Sequence, residues 1–81
     1  MAEQITASVR ILRRKQLEEK IGLSRSAIYA RMDPKSPHYD PTFPKAVELG
    51  SGMKNPPVGW VESEADAWLS SRIESSRRAA A

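Results

Sequence analysis

Cysteine is absent and histidine occurs once, as His38. Those two shortages exclude disulfides, thiolate zinc sites and cysteine nucleophiles together. A zinc site built on one imidazole would need carboxylates at ligand spacing, and no such spacing occurs, so neither a metal nor a cofactor is expected. Long apolar runs are missing as well. Nothing approaches the roughly 20 residues that span a bilayer, and residues 1–8 are polar, without the apolar stretch of a signal peptide. The expectation is a cytoplasmic chain with no membrane partner. Length is the last shortage: 81 residues give one small domain, which buries roughly 60% of its unfolded surface. A deep, water-excluding pocket is hard to build at that size. The scattered Ser, Asp and Glu residues form no nucleophile beside an oriented base and no paired-carboxylate site. A binding module is expected rather than an enzyme.

What is present is an uneven distribution of charge. The net charge is +3, but Arg10, Arg13, Arg14, Lys15, Lys20, Arg25 and Arg31 crowd the first part of the chain, while Glu62, Glu64 and Asp66 fall later. One face can attract phosphate and another would not.

Periodicity predicts a helix over 14–21, with Leu17 and Ile21 four apart on one face. Gly22 ends it, where a left-handed residue costs least. Ile11 and Leu12 precede it as a short extended or first-turn segment that can fold back on the core. Ser24 suits the N-cap of a second helix over 25–32. A turn of 100° per residue points Leu23, Ala27 and Ile28 to the core and Arg25, Ser26 and Tyr29 outward. Asp33-Pro34 stops that helix. Residues 33–44 carry four prolines and read as a loop. Residues 45–49 alternate, and Val58-Gly59-Trp60-Val61 reads as a returning strand, giving a two-stranded hairpin. Ser63 opens a last helix, with Asp66 at capping-box spacing and Trp68, Leu69 and Ile73 as its buried stripe. Trp60 and Trp68 both lie in apolar, periodic contexts and are expected in the core.

Helix, glycine turn and second short helix make a helix-turn-helix, a motif whose second helix presents its exposed early residues to the major groove of double-stranded DNA. Arg25 can fork onto guanine O6 and N7. Ser24 and Ser26 can bond phosphate or base edges, although Ser24 serves first as a cap. Tyr29 can donate to a phosphate and pack on sugar or a thymine methyl; its alternative is a half-buried core position. The hairpin tip offers Ser51, Lys54 and Asn55 without an acid, which suits a wing on the backbone or in the minor groove as well as it suits a solvated loop. Arg13, Arg14, Lys15 and Arg31 are further phosphate candidates.

Three ordered stretches carry a resemblance: Gly22-Leu23-Ser24-Arg25-Ser26-Ala27-Ile28-Tyr29, then Phe43-Pro44-Lys45-Ala46-Val47-Glu48-Leu49-Gly50, then Val58-Gly59-Trp60-Val61-Glu62-Ser63-Glu64-Ala65-Asp66-Ala67-Trp68-Leu69. Together they resemble the AlpA family of phage and prophage transcriptional regulators. The resemblance implies an α+β, mainly α fold: a winged helix-turn-helix (MerR-like and excisionase-like) with a small two-stranded antiparallel hairpin and a C-terminal helix. The ends carry little periodic pattern and little to pack, so a flexible arm is expected over 1–10, the DNA-binding domain over 11–74 and a disordered tail over 75–81. The resemblance also implies sequence-specific regulation of transcription for a mobile element. An excisionase that bends attachment-site DNA beside an integrase is the alternative, and a protein-docking adaptor a third reading. Three outward side chains are few, so self-association or several copies on DNA are expected. Two departures stand out. Family members often carry a basic residue directly after the tyrosine, where this chain has Ala30 and then Arg31, displaced about 100° toward the core side. The tip is extended over 53–57, with Lys54 in place of the family's arginine.

Overall fold

The computed structural model describes residues 9–52 and 54–80. The element order is β1 (Ile11–Leu12), α1 (Arg14–Ile21), α2 (Arg25–Met32), β2 (Val47–Glu48), β3 (Val58–Val61) and α3 (Glu62–Ala80). The expected winged helix-turn-helix is present, with one addition. The hairpin of β2 and β3 is joined by β1, so the sheet has three strands in the order β1-β3-β2, all antiparallel. Ile11 stands opposite Val61 and Leu12 opposite Trp60, while Val47 pairs with Gly59 and Glu48 with Val58.

That third strand explains how the first helix begins. Arg13 follows β1 directly and, still extended, is the residue before α1; its backbone N–H donates to Gln16 Oε1 at 2.9 Å. At the other end Gly22 takes φ 73°, ψ 25°, and its N–H bonds Glu18 O at 2.8 Å. Nothing lies near the position a Cβ would occupy there. Glycine is therefore required at that turn by conformation and not by space. Ser24 then caps α2, its Oγ accepting from the Ala27 N–H at 3.2 Å.

The core contains Leu12, Leu17, Ile28, Phe43, Trp60, Ala65 and Trp68, with Ile21, Leu23, Met32, Val58 and Leu69 packed around it. Leu17 and Ile28 are fully buried and lock α1 against α2; each such side chain stabilises the fold by about 1.5–3 kcal/mol. Both tryptophans are internal, as expected. The indole N–H of Trp60 is buried without a hydrogen-bond partner among the described residues, whereas that of Trp68 donates to Asp40 Oδ2 at 3.0 Å. Phe43 meets Trp68 edge-on at 4.9 Å between ring centroids. The proline-flanked loop thereby contributes an aromatic to the core that the periodicity of the helices and strands does not reveal.

Three expectations for the last helix are corrected. Ser63 is not its cap. Strand β3 runs into α3 with no intervening residue, which leaves Ser63 inside the first turn, and the N–H of Glu62 donates to Arg10 O at 2.8 Å as β1 continues alongside. Asp66 bonds Lys20 instead of closing a capping box. The helix also continues through Ala80, so residues 75–80, expected as a disordered tail, are helical. Ile73 consequently lies past the body of the domain and is 48% exposed, outside the buried stripe to which its spacing assigned it. Residues 1–8 of the expected arm and Ala81 lie outside the described residues; Val9 and Arg10 are exposed.

Candidate nucleic-acid interface

The outward face of α2 carries the residues that its periodicity placed there. Ser24, Arg25 and Ser26 are exposed, and Tyr29 is 39% exposed, so its ring is partly covered and partly available on the outward face. Arg25 and Tyr29 are four apart and meet: the guanidinium carbon sits 5.7 Å from the ring centroid. A cation over an aromatic face is worth about 0.5–1 kcal/mol at an exposed site. Its larger effect is to hold a flexible arginine in one direction, away from the core, while its N–H fork stays free of protein acceptors among the described residues.

The hairpin tip gathers Ser51, Lys54 and Asn55, all exposed, and Met53 lies outside the described residues. Gly52 takes φ 73°, a conformation that allows the chain to reverse between the strands. The tip is anchored at its base by Leu49 N–H to Pro57 O at 2.7 Å.

The other basic candidates separate by what they touch. Arg13 donates from Nε to Val58 O at 3.0 Å, tying the start of α1 to the first residue of β3. Arg14 pairs with Glu18 one turn along its own helix. Arg31 donates from Nη1 to Ala27 O at 3.1 Å, folded back along α2 on the side that its two-residue offset from Tyr29 turns away from the outward face. Lys15 is exposed and has no carboxylate partner among the described residues. Of these four, only Lys15 is held by nothing else. The later acids are also engaged: Lys20 bonds Asp66 at 2.8 Å and Glu62 at 3.3 Å, and Arg10 approaches Glu62 at 3.6 Å. Hydrogen bonds donated by Lys20 to Asp66 and then to Glu62 raise the Lys20 pKa above its ordinary 10.5. Glu62 and Asp66 at the start of α3 thus bridge to α1, while Glu64 stays exposed.

One residue has an organising role that charge and periodicity did not single out. Asp40 accepts from Thr42 through both the backbone N–H (2.9 Å) and the hydroxyl (2.6 Å) at Oδ1, and from the Trp68 indole at Oδ2. Its own N–H reaches back to Arg31 O at 2.9 Å. The hydroxyl of Thr42, with help from Trp68, holds the Asp40 pKa below its usual 3.8. The signal in the sequence was Asp40-Pro41-Thr42, an aspartate two residues before a residue whose N–H and hydroxyl it can bind.

A braced helix-turn-helix with a sheet-borne hairpin beside it defines a winged helix-turn-helix module, here with its reading face open. The profile described as "Prophage CP4-57 regulatory protein (AlpA)" matches residues 10–73, and the chain belongs to that family. Among curated proteins, the "DNA-binding transcriptional activator AlpA" of Escherichia coli (strain K12) is 50% identical over 68 residues, covering 84% of this chain and 91% of that protein. No solved structure gives a significant match. Among the described residues, no helix is long and apolar enough to cross a membrane.

Proposed function

We propose that the chain is a sequence-specific, double-stranded-DNA-binding transcriptional regulator of prophage type, working in the cytoplasm. The name carried by its relative from Escherichia coli supports that reading. The observation that carries it is the exposed Arg25–Tyr29 pair on a capped helix braced by α1. Helix α2 lies in the major groove, where Arg25 reads a base edge, most simply guanine through O6 and N7. Ser26 supplements it at base or phosphate, and Tyr29 contacts the sugar-phosphate backbone while steadying Arg25. Ser24 fixes the helix end. The wing, through Ser51, Lys54 and Asn55, lies on the backbone or in the minor groove, and Lys15 adds a phosphate contact. So few contacts per copy give weak binding at physiological salt, so occupancy relies on several copies bound side by side.

The test is selection of bound fragments from the source genome, followed by gel shifts at several salt concentrations. Sites at promoters are expected. Sites confined to integration ends, with bent DNA and a requirement for an integrase, would assign the chain to recombination instead. Absence of any salt-sensitive binding would refute the DNA reading altogether.

A further inference from the structure

On the side of α2 turned away from its reading face, Arg31, His38 from the loop and Arg72 from α3 line an open cleft of about 370 Å³. Asp40 and Trp68 form part of its wall, with Tyr39 at the edge. The carboxylate there is already occupied, since both of its oxygens accept hydrogen bonds from Thr42 and Trp68. The guanidiniums are not. Arg31 uses one N–H on its own helix, and neither it nor Arg72 is within ion-pair distance of a carboxylate among the described residues. Asp40 keeps its negative charge and Arg72 is close enough to favour it, so two guanidiniums against one carboxylate leave a single net positive charge at the cleft, with planar donors from two different elements lining it.

Two residues along a helix turn the side chain by about 200°, so Arg31 stands about 160° around α2 from Tyr29. A duplex lying against Arg25 and Tyr29 leaves that side uncovered. We propose that this cleft docks an acidic segment of a partner protein, through its carboxylates, while α2 is on DNA. The inference rests on the reading of α2 as the DNA-facing helix. Arginine forks match carboxylates in a plane. Pro37 and the half-exposed Tyr39 complete a mainly polar lining, and tyrosine and arginine are the residues enriched at such interfaces. A regulator placed on DNA by one face gains from a second face that recruits a protein.

The chain has two tryptophans, and they supply reporter and control. Trp68 has its indole N–H at the cleft, and Trp60 has its own fully buried. The full chain, labelled with nitrogen-15, is titrated with a glutamate-rich decapeptide and separately with a random-sequence DNA duplex. With the peptide, the Trp68 indole signal should shift saturably while the Trp60 signal stays in place. Arg72→Gln should weaken that titration roughly tenfold and leave DNA affinity within twofold, and Arg25→Ala should leave the peptide titration within twofold. With the duplex, the amides of residues 25–29 should move and the Trp68 indole should not. A peptide that leaves Trp68 unmoved overturns the proposal. So does a duplex that shifts Trp68 together with a salt slope lowered by about 1 in Arg72→Gln, because the cleft is then a backbone contact. If the peptide shifts Trp68 but the duplex leaves residues 25–29 unchanged, the acid-binding cleft stands and the reading of α2 fails.

Discussion

An alanine at position 59 would bring its Cβ inside van der Waals contact of Ile11 Cγ2, to 3.1 Å from the Leu12 carbonyl oxygen and to 3.4 Å from Leu49 Cδ1. Gly59 is the centre of the central strand, paired with Val47 on β2 and flanked by β1. The side chains of Ile11 and Leu49 close over the space its missing Cβ leaves. Ile11 cannot retreat freely, because isoleucine is stiff at χ1, and neither can the Leu12 oxygen, which belongs to the backbone of the paired strand. Forcing a methyl into packed structure costs about 1–3 kcal/mol. Alanine's narrower unfolded ensemble offsets about 0.4–1 kcal/mol of this. The net loss expected for Gly59→Ala is about 1–2 kcal/mol, which lowers the Tm by roughly 5–15 °C in a domain of this size. Thermal unfolding followed by circular dichroism measures it. Ile11→Ala made in the Gly59→Ala background should recover about 1 kcal/mol relative to the sum of the two single changes, because it removes the colliding methyl. A Gly59→Ala protein that melts at or above the parent temperature would refute the packing described, as would additivity of the two changes.

Three further outcomes are expected. Arg25→Ala should weaken specific binding by roughly 1–3 kcal/mol and relax the preference at one base position; an equal loss on specific and random duplexes in the same gel shifts would make Arg25 a phosphate contact. Lys54→Ala should reduce affinity about evenly across sequences and lower the salt slope by about 1, and an unchanged slope would take the wing off the backbone. Asp40→Asn should destabilise the protein in urea at neutral pH. The Asp40 carboxyl has a lowered pKa, so its contribution is present above its ordinary 3.8 and is lost as pH falls through the lower folded value. The difference between Asp40→Asn and the parent should therefore shrink on acidification, and a constant difference would show that the aspartate acts through shape alone.

The helices around the glycine turn were legible because local chemistry decides them. Gly22, Ser24 and the Asp33-Pro34 stop set the boundaries of α1 and α2, and the outward direction of Arg25, Ser26 and Tyr29 follows from a 100° turn. What was not legible depends on contacts distant in sequence. Ile11 and Leu12 are too few to show a strand period, and they become β1 only because β3 offers a free edge. Ser63 has good capping chemistry, but the direct passage of β3 into α3 removes the position it would have filled. Ile73 has the right spacing to be buried and lacks a partner to bury it, since the body of the domain ends before it. Within the basic residues, composition gave the charge but not its use: Arg13 ties α1 to β3 through Val58 O, while Arg14 and Arg31 are engaged along their own helices by Glu18 and Ala27 O.

The unbroken passage from β3 to α3 has a mechanical meaning. A strand that becomes a helix without a loop has no hinge residue between them, so a tilt of the hairpin passes into α3 and, through the Lys20 bridges and the buried Ala65 and Trp68, carries α1 and the core with it. The helix has 19 residues and is therefore about 28 Å long. A tilt of only 10° imposed on the hairpin by its contact with a duplex sweeps the far end of α3 through about 5 Å, by the length of a rigid helix. Engagement at the tip is thereby converted into displacement at the opposite extremity, and spectroscopic labels placed on residues 77 and 78 would register it.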